Sequence, residues 1–152
     1  MKKHTLKSLI QEHAHARQEP GMSEEILHSM IMKLEHTNVL EQEKGYLFFT
    51  YLGTKMILLS DETYDRMRII SAITTYSNLA PKIKDSLMHS NFHLALDARY
   101  AVSDDILYAA FIHPLSTLHR NDFSSALKQV YNLVASFGKT YSSGQLEFTS
   151  KK

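Results

Sequence analysis

Apolar residues follow two rhythms along the chain, and the changes between them mark the elements. Residues 1–19 are polar, with Leu6 and Ile10 four apart and little apolar surface beyond them, and Pro20-Gly21 breaks the segment off. Ser23 is an N-cap candidate with Glu24 and Glu25 in the first turn, where the helix dipole favours acids. Ile26, Leu27, Met30, Ile31 and Leu34 follow at helical spacing, which predicts a helix over 23–37. From Gly45 the pattern changes. GYLFFTYLG reads as a strand ended by Gly53 and TKMILLSD as its partner, a hairpin centred on Leu52-Gly53-Thr54. After the polar turn Asp61-Glu62-Thr63, RMRIISAITTY is rich in β-branched residues and reads as a third strand. A helix over 78–90 follows, with Pro81 in its first turn and Leu79, Ile83 and Leu87 on one face.

The stretch LALDARYAVSDDILYAAFIHPL predicts a second hairpin in one of two registers. With a turn at Ser103-Asp104-Asp105, Val102 faces Ile106, Tyr100 faces Tyr108, Ala98 faces Ala110 and Leu96 faces Ile112. A turn longer by one residue turns Leu107, Ala109 and Phe111 to the core instead. In the first register Asp97 and Arg99 point to the other face, where they can pair with neighbours or water; in either, Asp104 and Asp105 are turn formers, and His113-Pro114 ends the strand. A last helix begins at Asn121 or Asp122, repeats Phe123, Ala126, Leu127, Val130, Tyr131, Val134 and Phe137, and stops at Gly138. The tail KTYSSGQLEFTSKK reads as polar and loose. The expected fold class is α+β, a five-stranded antiparallel sheet with helices in the order α-β-β-β-α-β-β-α. The expected organisation is an extension at 1–21, a domain at 22–138 and a tail at 139–152.

Composition narrows the function classes. The 152 residues are 43% hydrophobic and 22% charged, and 17 Lys and Arg against 16 Asp and Glu leave a formal charge of +1. That balance argues against general nucleic-acid binding, which brings a basic excess. There is no cysteine, hence no disulfide, thiolate metal site or Cys nucleophile. No run approaches the ~18 apolar residues of a membrane span, and the basic start lacks an apolar core, so a cytoplasmic protein is expected.

Candidate chemistry is sparse. Nine histidines invite a metal test. His13 and His15 would fall on opposite sides of a helix. His89 and His93 have i, i+4 spacing but no third ligand at a known distance. Asn91 between them reads as a helix stop. The five glycines, at 21, 45, 53, 138 and 144, form no phosphate loop, and no Gly-x-Ser-x-Gly elbow is present. No metal, cofactor or catalytic residue is therefore expected. What stands out is apolarity on both faces of the first hairpin. Tyr46, Phe48 and Leu52 alternate with Leu47, Phe49 and Tyr51, and Met56 and Leu58 with Ile57 and Leu59, where a half-exposed strand would alternate apolar with polar. The expected partner-binding residues are Tyr46, Phe48, Tyr51, Met56 and Leu58.

The entry into GYLFFTYLGTKMILLSDE, the strand RMRIISAI, the stretch SLMHSNFHLALDARYAVSDDILYAAFIHPL and the closing FSSALKQVYNLVASF resemble the bacterial type III secretion chaperone-like proteins, in particular their YbjN-type relatives. The resemblance runs from about Ser23 to Phe137 and rests on apolar spacing and turn placement. It implies a small, cytoplasmic, usually dimeric protein without catalytic activity, which holds a partner segment on apolar patches or by strand addition. Many such chaperones are acidic, unlike this chain. The leading expectation is a non-enzymatic, chaperone-like module binding a protein client or effector segment on an apolar sheet face or edge, a homodimer with no nucleic-acid partner and no membrane insertion. The alternative is a small-molecule or metal-responsive sensor with its ligand between sheet and helices near His89, His93 and Tyr100.

Overall fold

The computed structural model describes residues 21–144. Helix α1 (Glu24–Lys33) is followed by four strands, β1 (Thr37–Glu43), β2 (Tyr46–Tyr51), β3 (Thr54–Asp61) and β4 (Arg66–Thr75). A 3-10 turn at Tyr76–Asn78 leads to α2 (Pro81–His93), then β5 (Arg99–Ser103), β6 (Ile106–His113) and α3 (Arg120–Ser136). The strands form one antiparallel sheet in the order β1-β2-β3-β4-β6-β5. The class is α+β as expected, but with six strands rather than five.

The added strand is β1. Its TNVLEQE sequence buries no side chain fully, so no apolar alternation announces it; pairing with β2 makes it a strand. Helix α1 correspondingly ends at Lys33, four residues before its expected end. Its cap is as anticipated, with Ser23 Oγ accepting the Ile26 N–H at 3.2 Å.

Each hairpin turn has its own backbone demand. Gly45, between β1 and β2, has φ +74°, and a Cβ there would stand 2.8 Å from the Ser60 carbonyl oxygen. Leu52-Gly53 and Asp104-Asp105 are both two-residue turns with positive φ throughout, the geometry that matches strand twist. Both are shorter than expected: Thr54 pairs with Tyr51 instead of joining the first turn, and Ser103 pairs with Ile106, which makes the second turn one residue shorter than the shorter of the two expected. Val102 faces Leu107, Tyr100 faces Ala109 and Arg99 faces Ala110, so Leu107, Ala109 and Phe111 point into the core. Asp105 also accepts the Ser77 N–H and hydroxyl at 2.9 and 2.7 Å, tying this turn to the end of β4.

One face of the sheet carries the core. Leu47, Phe49, Met56, Leu58, Met67, Ile69, Leu107 and Phe111 meet Leu27 and Ile31 of α1 and Phe123, Ala126, Leu127, Val130 and Leu133 of α3. Asp122 is not the N-cap of α3 but its third residue, where its carboxylate accepts the His119 N–H at 3.3 Å. From the same helix Gln129, buried, accepts the N–H groups of Asp97 and Ala98, each at 2.9 Å, and donates to the Asp97 carboxylate at 3.2 Å. Asp97 is thus part of the joint between α3 and β5. The first tail residues are docked rather than loose. Tyr141 packs on Tyr100 and Phe137, and the hydroxyl oxygen of buried Ser143 accepts the Leu96 N–H at 2.5 Å. Residues 1–20 and 145–152, including His13 and His15, lie outside the described residues.

Candidate protein-binding face

Among the described residues no helix lies on the second sheet face. Cross-strand register arranges its side chains in rows. One row runs Glu43, Tyr46, Leu59, Arg68, Ile112 over β1, β2, β3, β4 and β6. The next, two residues along each strand, runs Glu41, Phe48, Ile57, Ile70, Ala110, Arg99 and reaches β5. Tyr46, Phe48, Ile57, Leu59 and Ile70 are half-buried by their neighbours within the sheet, Ile112 is 55% exposed, and none belongs to the core cluster. An apolar band therefore runs between acids on β1 and Arg99 on β5, with Arg68 of β4 standing inside its first row between Leu59 and Ile112 and Arg66 further along β4, all these charges exposed. A depression of about 400 Å³ lined by Leu59, Tyr64, Arg66 and Arg68 continues the band past the β3–β4 turn.

The five anticipated partner-binding residues divide between the faces. Tyr46 and Phe48 stand on this outer face. Tyr51 is only 7% exposed, and Met56 and Leu58 are fully buried on the inner face, so these three are core and cannot reach a partner without unfolding. Tyr51 packs edge-on against Tyr131 of α3 at 6.0 Å, and burial, helped by that neighbouring phenol, holds its pKa above the ordinary tyrosine value. Ile57, Leu59 and Ile70, which share the outer face with Tyr46 and Phe48, were readable in the strand alternation once Phe48 had been placed on one face. Ile112 needed the corrected register.

The sheet edges offer less. At the β5 edge Asn91 of α2 acts as a stub of strand. Its Oδ1 accepts the Tyr100 N–H at 2.8 Å and its amide donates to the Tyr100 carbonyl at 3.0 Å. Asn91 is therefore an edge cover, and α2 runs on to His93 rather than stopping at it. At the other edge a bulge between Val39 and Glu41, with exposed Glu41, Gln42 and Glu43, interrupts β1. Bulges and charges are devices that keep an edge from pairing with another strand.

The sensor site does not assemble. His89 and His93 are exposed on α2, while Tyr100 is 6% exposed beneath the helices and donates its hydroxyl to the Leu133 carbonyl at 2.7 Å. Burial is the main reason that phenol's pKa is pushed up to about 12, and Tyr141 adds to it. Among the described residues no group of three or more His, Asp or Glu is placed to hold a metal ion, and no helix is long and apolar enough to cross a membrane.

No family model matches this chain, and no curated protein does. Among solved structures the chain is similar to one in the HopA1-SchA chaperone-effector complex. The TM-score is 0.48 and the identity 7%, over 72% of this chain and 94% of that one. A likeness that remote carries no function across.

Proposed function

We propose that this protein is a non-enzymatic protein-binding module, chaperone-like in holding a segment of a partner polypeptide against its outer sheet face. The carrying observation is the apolar band of Tyr46, Phe48, Ile57, Leu59, Ile70 and Ile112, over which none of the described helices lies. Contiguous apolar surface beyond a few hundred Å² is uncommon on a soluble monomer and marks interaction sites. The covered edges favour the face over strand addition as the route of binding. The resemblance in apolar spacing supports a bacterial, cytoplasmic setting.

Capture of partners from the native host, read by mass spectrometry with wild type, Tyr46→Ala and Phe48→Ala as baits, tests this. Both variants should lose partner while their melting temperatures stay close to wild type. Baits that melt early yet keep the partner would remove the outer face from the binding site.

A further inference from the structure

Residues 21 and 22 fix where the chain enters the fold. Met22 donates its N–H to the Leu115 carbonyl at 3.0 Å, and Gly21 runs so close to Ser116 that a Cβ would strike that residue's backbone. Asp65, just ahead of β4, holds Ser116 in turn by accepting its N–H and its hydroxyl. The entry point is therefore the end of the sheet where β4 begins and β6 finishes, the end that carries the first outer row. The depression lined by Tyr64, Arg66 and Arg68, the neighbours of Asp65 in sequence, leads from there onto the apolar band.

The residues ahead of Gly21 have an order that matches this face. Leu6, Leu9 and Ile10 recur at helical spacing. Lys2, Lys3 and Lys7 make the first ten residues basic, while over the next nine two acids, Glu12 and Glu19, outweigh Arg17. The outer face carries the complementary order. Read away from the entry point, exposed Arg66 and Arg68 on β4 come first and exposed Glu41 and Glu43 on β1 come last. Attachment at Gly21 selects the direction in which each half of the segment meets the opposite charge, with its three apolar residues between. Reach is not limiting. β4 and β1 lie about 14 Å apart across two intervening strands, and nineteen residues span about 28 Å as a helix.

We propose that residues 1–19 are a strap that covers the outer face of their own chain and competes with a partner for Tyr46, Phe48 and Leu59. This rests on the outer face being a docking surface, and it adds the regulation of that surface. A tethered segment acts at an effective concentration in the roughly millimolar range, so a contact of a few apolar side chains closes the face to weak binders. A partner segment with a longer apolar run displaces it.

The chain has no cysteine, so crosslinking pairs can be introduced without background. Full-length protein carrying Leu9→Cys with Leu59→Cys is treated with a bismaleimide whose arm matches the ~10 Å between packed layers. The control pair is Leu9→Cys with Val102→Cys, since Val102 is exposed but pairs with Leu107 and so stands on the helix side. Circular dichroism confirms folding. The Leu59 pair should link within one chain at least about tenfold faster than the control. Lys2→Glu with Lys3→Glu should slow that link about threefold, and adding Glu41→Lys with Glu43→Lys should restore it. Leu6→Asp with Ile10→Asp should abolish the preference and raise the fluorescence of anilinonaphthalene sulfonate about twofold, a gain that Phe48→Ala cancels. Equal rates for the two pairs in folded protein overturn the strap, as does a link found only between chains. If in either case Phe48→Ala still lowers partner capture, the docking face survives without its strap. A fast link within the chain beside partner capture unchanged by Phe48→Ala keeps the strap as a cover and removes the docking reading.

Discussion

The two faces of β2 and β3 are made of nearly the same residues and meet opposite fates. Leu47, Phe49, Met56 and Leu58 are fully buried under the helices, while Tyr46, Phe48, Ile57 and Leu59 keep part of their surface in water. Apolar content does not separate them. What separates them is that α1 and α3 fit over one side, while the described residues supply no third layer for the other. An apolar strand face states a need for cover; it does not state who provides it.

The largest expected effect breaks the comparison directly. Phe49→Ala should cost about 3–5 kcal/mol of stability in urea unfolding, as truncation of a buried aromatic does. Phe48→Ala, one position away, should cost about 1 kcal/mol or less, as at a surface site. Equal costs would mean that both faces are core. Next comes the edge, whose closure leaves the face as the open surface. Asn91→Ala strips the partners from both Tyr100 backbone groups and should cost about 1–3 kcal/mol. It should also promote concentration-dependent association through β5. A variant as stable and as monodisperse as wild type would show that α2 does not guard that edge.

Tyr100→Phe sharpens the covered side. Losing the bond to Leu133 should cost about 1 kcal/mol at neutral pH. Because the folded pKa of Tyr100 is raised from 10.0 to about 12, its contribution is complete below pH 10 and disappears as pH climbs through 12. The wild type should therefore lose more stability than the Phe variant over that interval. Parallel alkaline profiles would show that this phenol is not held neutral by burial. The smallest effect concerns an exposed carboxylate at the rim. Asp65 accepts the Ser116 N–H at 2.7 Å and its hydroxyl at 2.5 Å, and those bonds, the hydroxyl's first, hold its pKa below 3.8. Its contribution is present above pH 3.8 and fades as pH falls through the lowered folded value. Asp65→Asn should flatten only that acid limb of the melting-temperature profile, and a change confined to neutral pH would rule the bond out as its cause.

Legibility followed the strength of local signals. The β2–β3 hairpin was readable because Gly53 marks a turn between two apolar runs; TKMILLSD coincides with β3, while β2 is shorter than the expected GYLFFTYLG and stops at Tyr51. β1 was not, since a polar edge strand draws its stability from its neighbour's backbone and carries no periodicity of its own. The β5–β6 register escaped because Leu107, Ala109 and Phe111 on one face and Tyr108, Ala110 and Ile112 on the other are equally apolar. Either alternation looked like a core side. The same ambiguity put Tyr51, Met56 and Leu58 beside Tyr46 and Phe48 in a single expected site.

The three helices, the positions of the two apolar hairpins and the α+β class were determined by the sequence itself, through helical spacing, strand alternation and turn residues acting over a few positions. Which side of the sheet became core, how β1 joined it and which tyrosines faced water were decided only by tertiary structure. Those outcomes depend on where helices distant in sequence come to rest, and a period-two pattern with apolar residues on both faces holds no information about that.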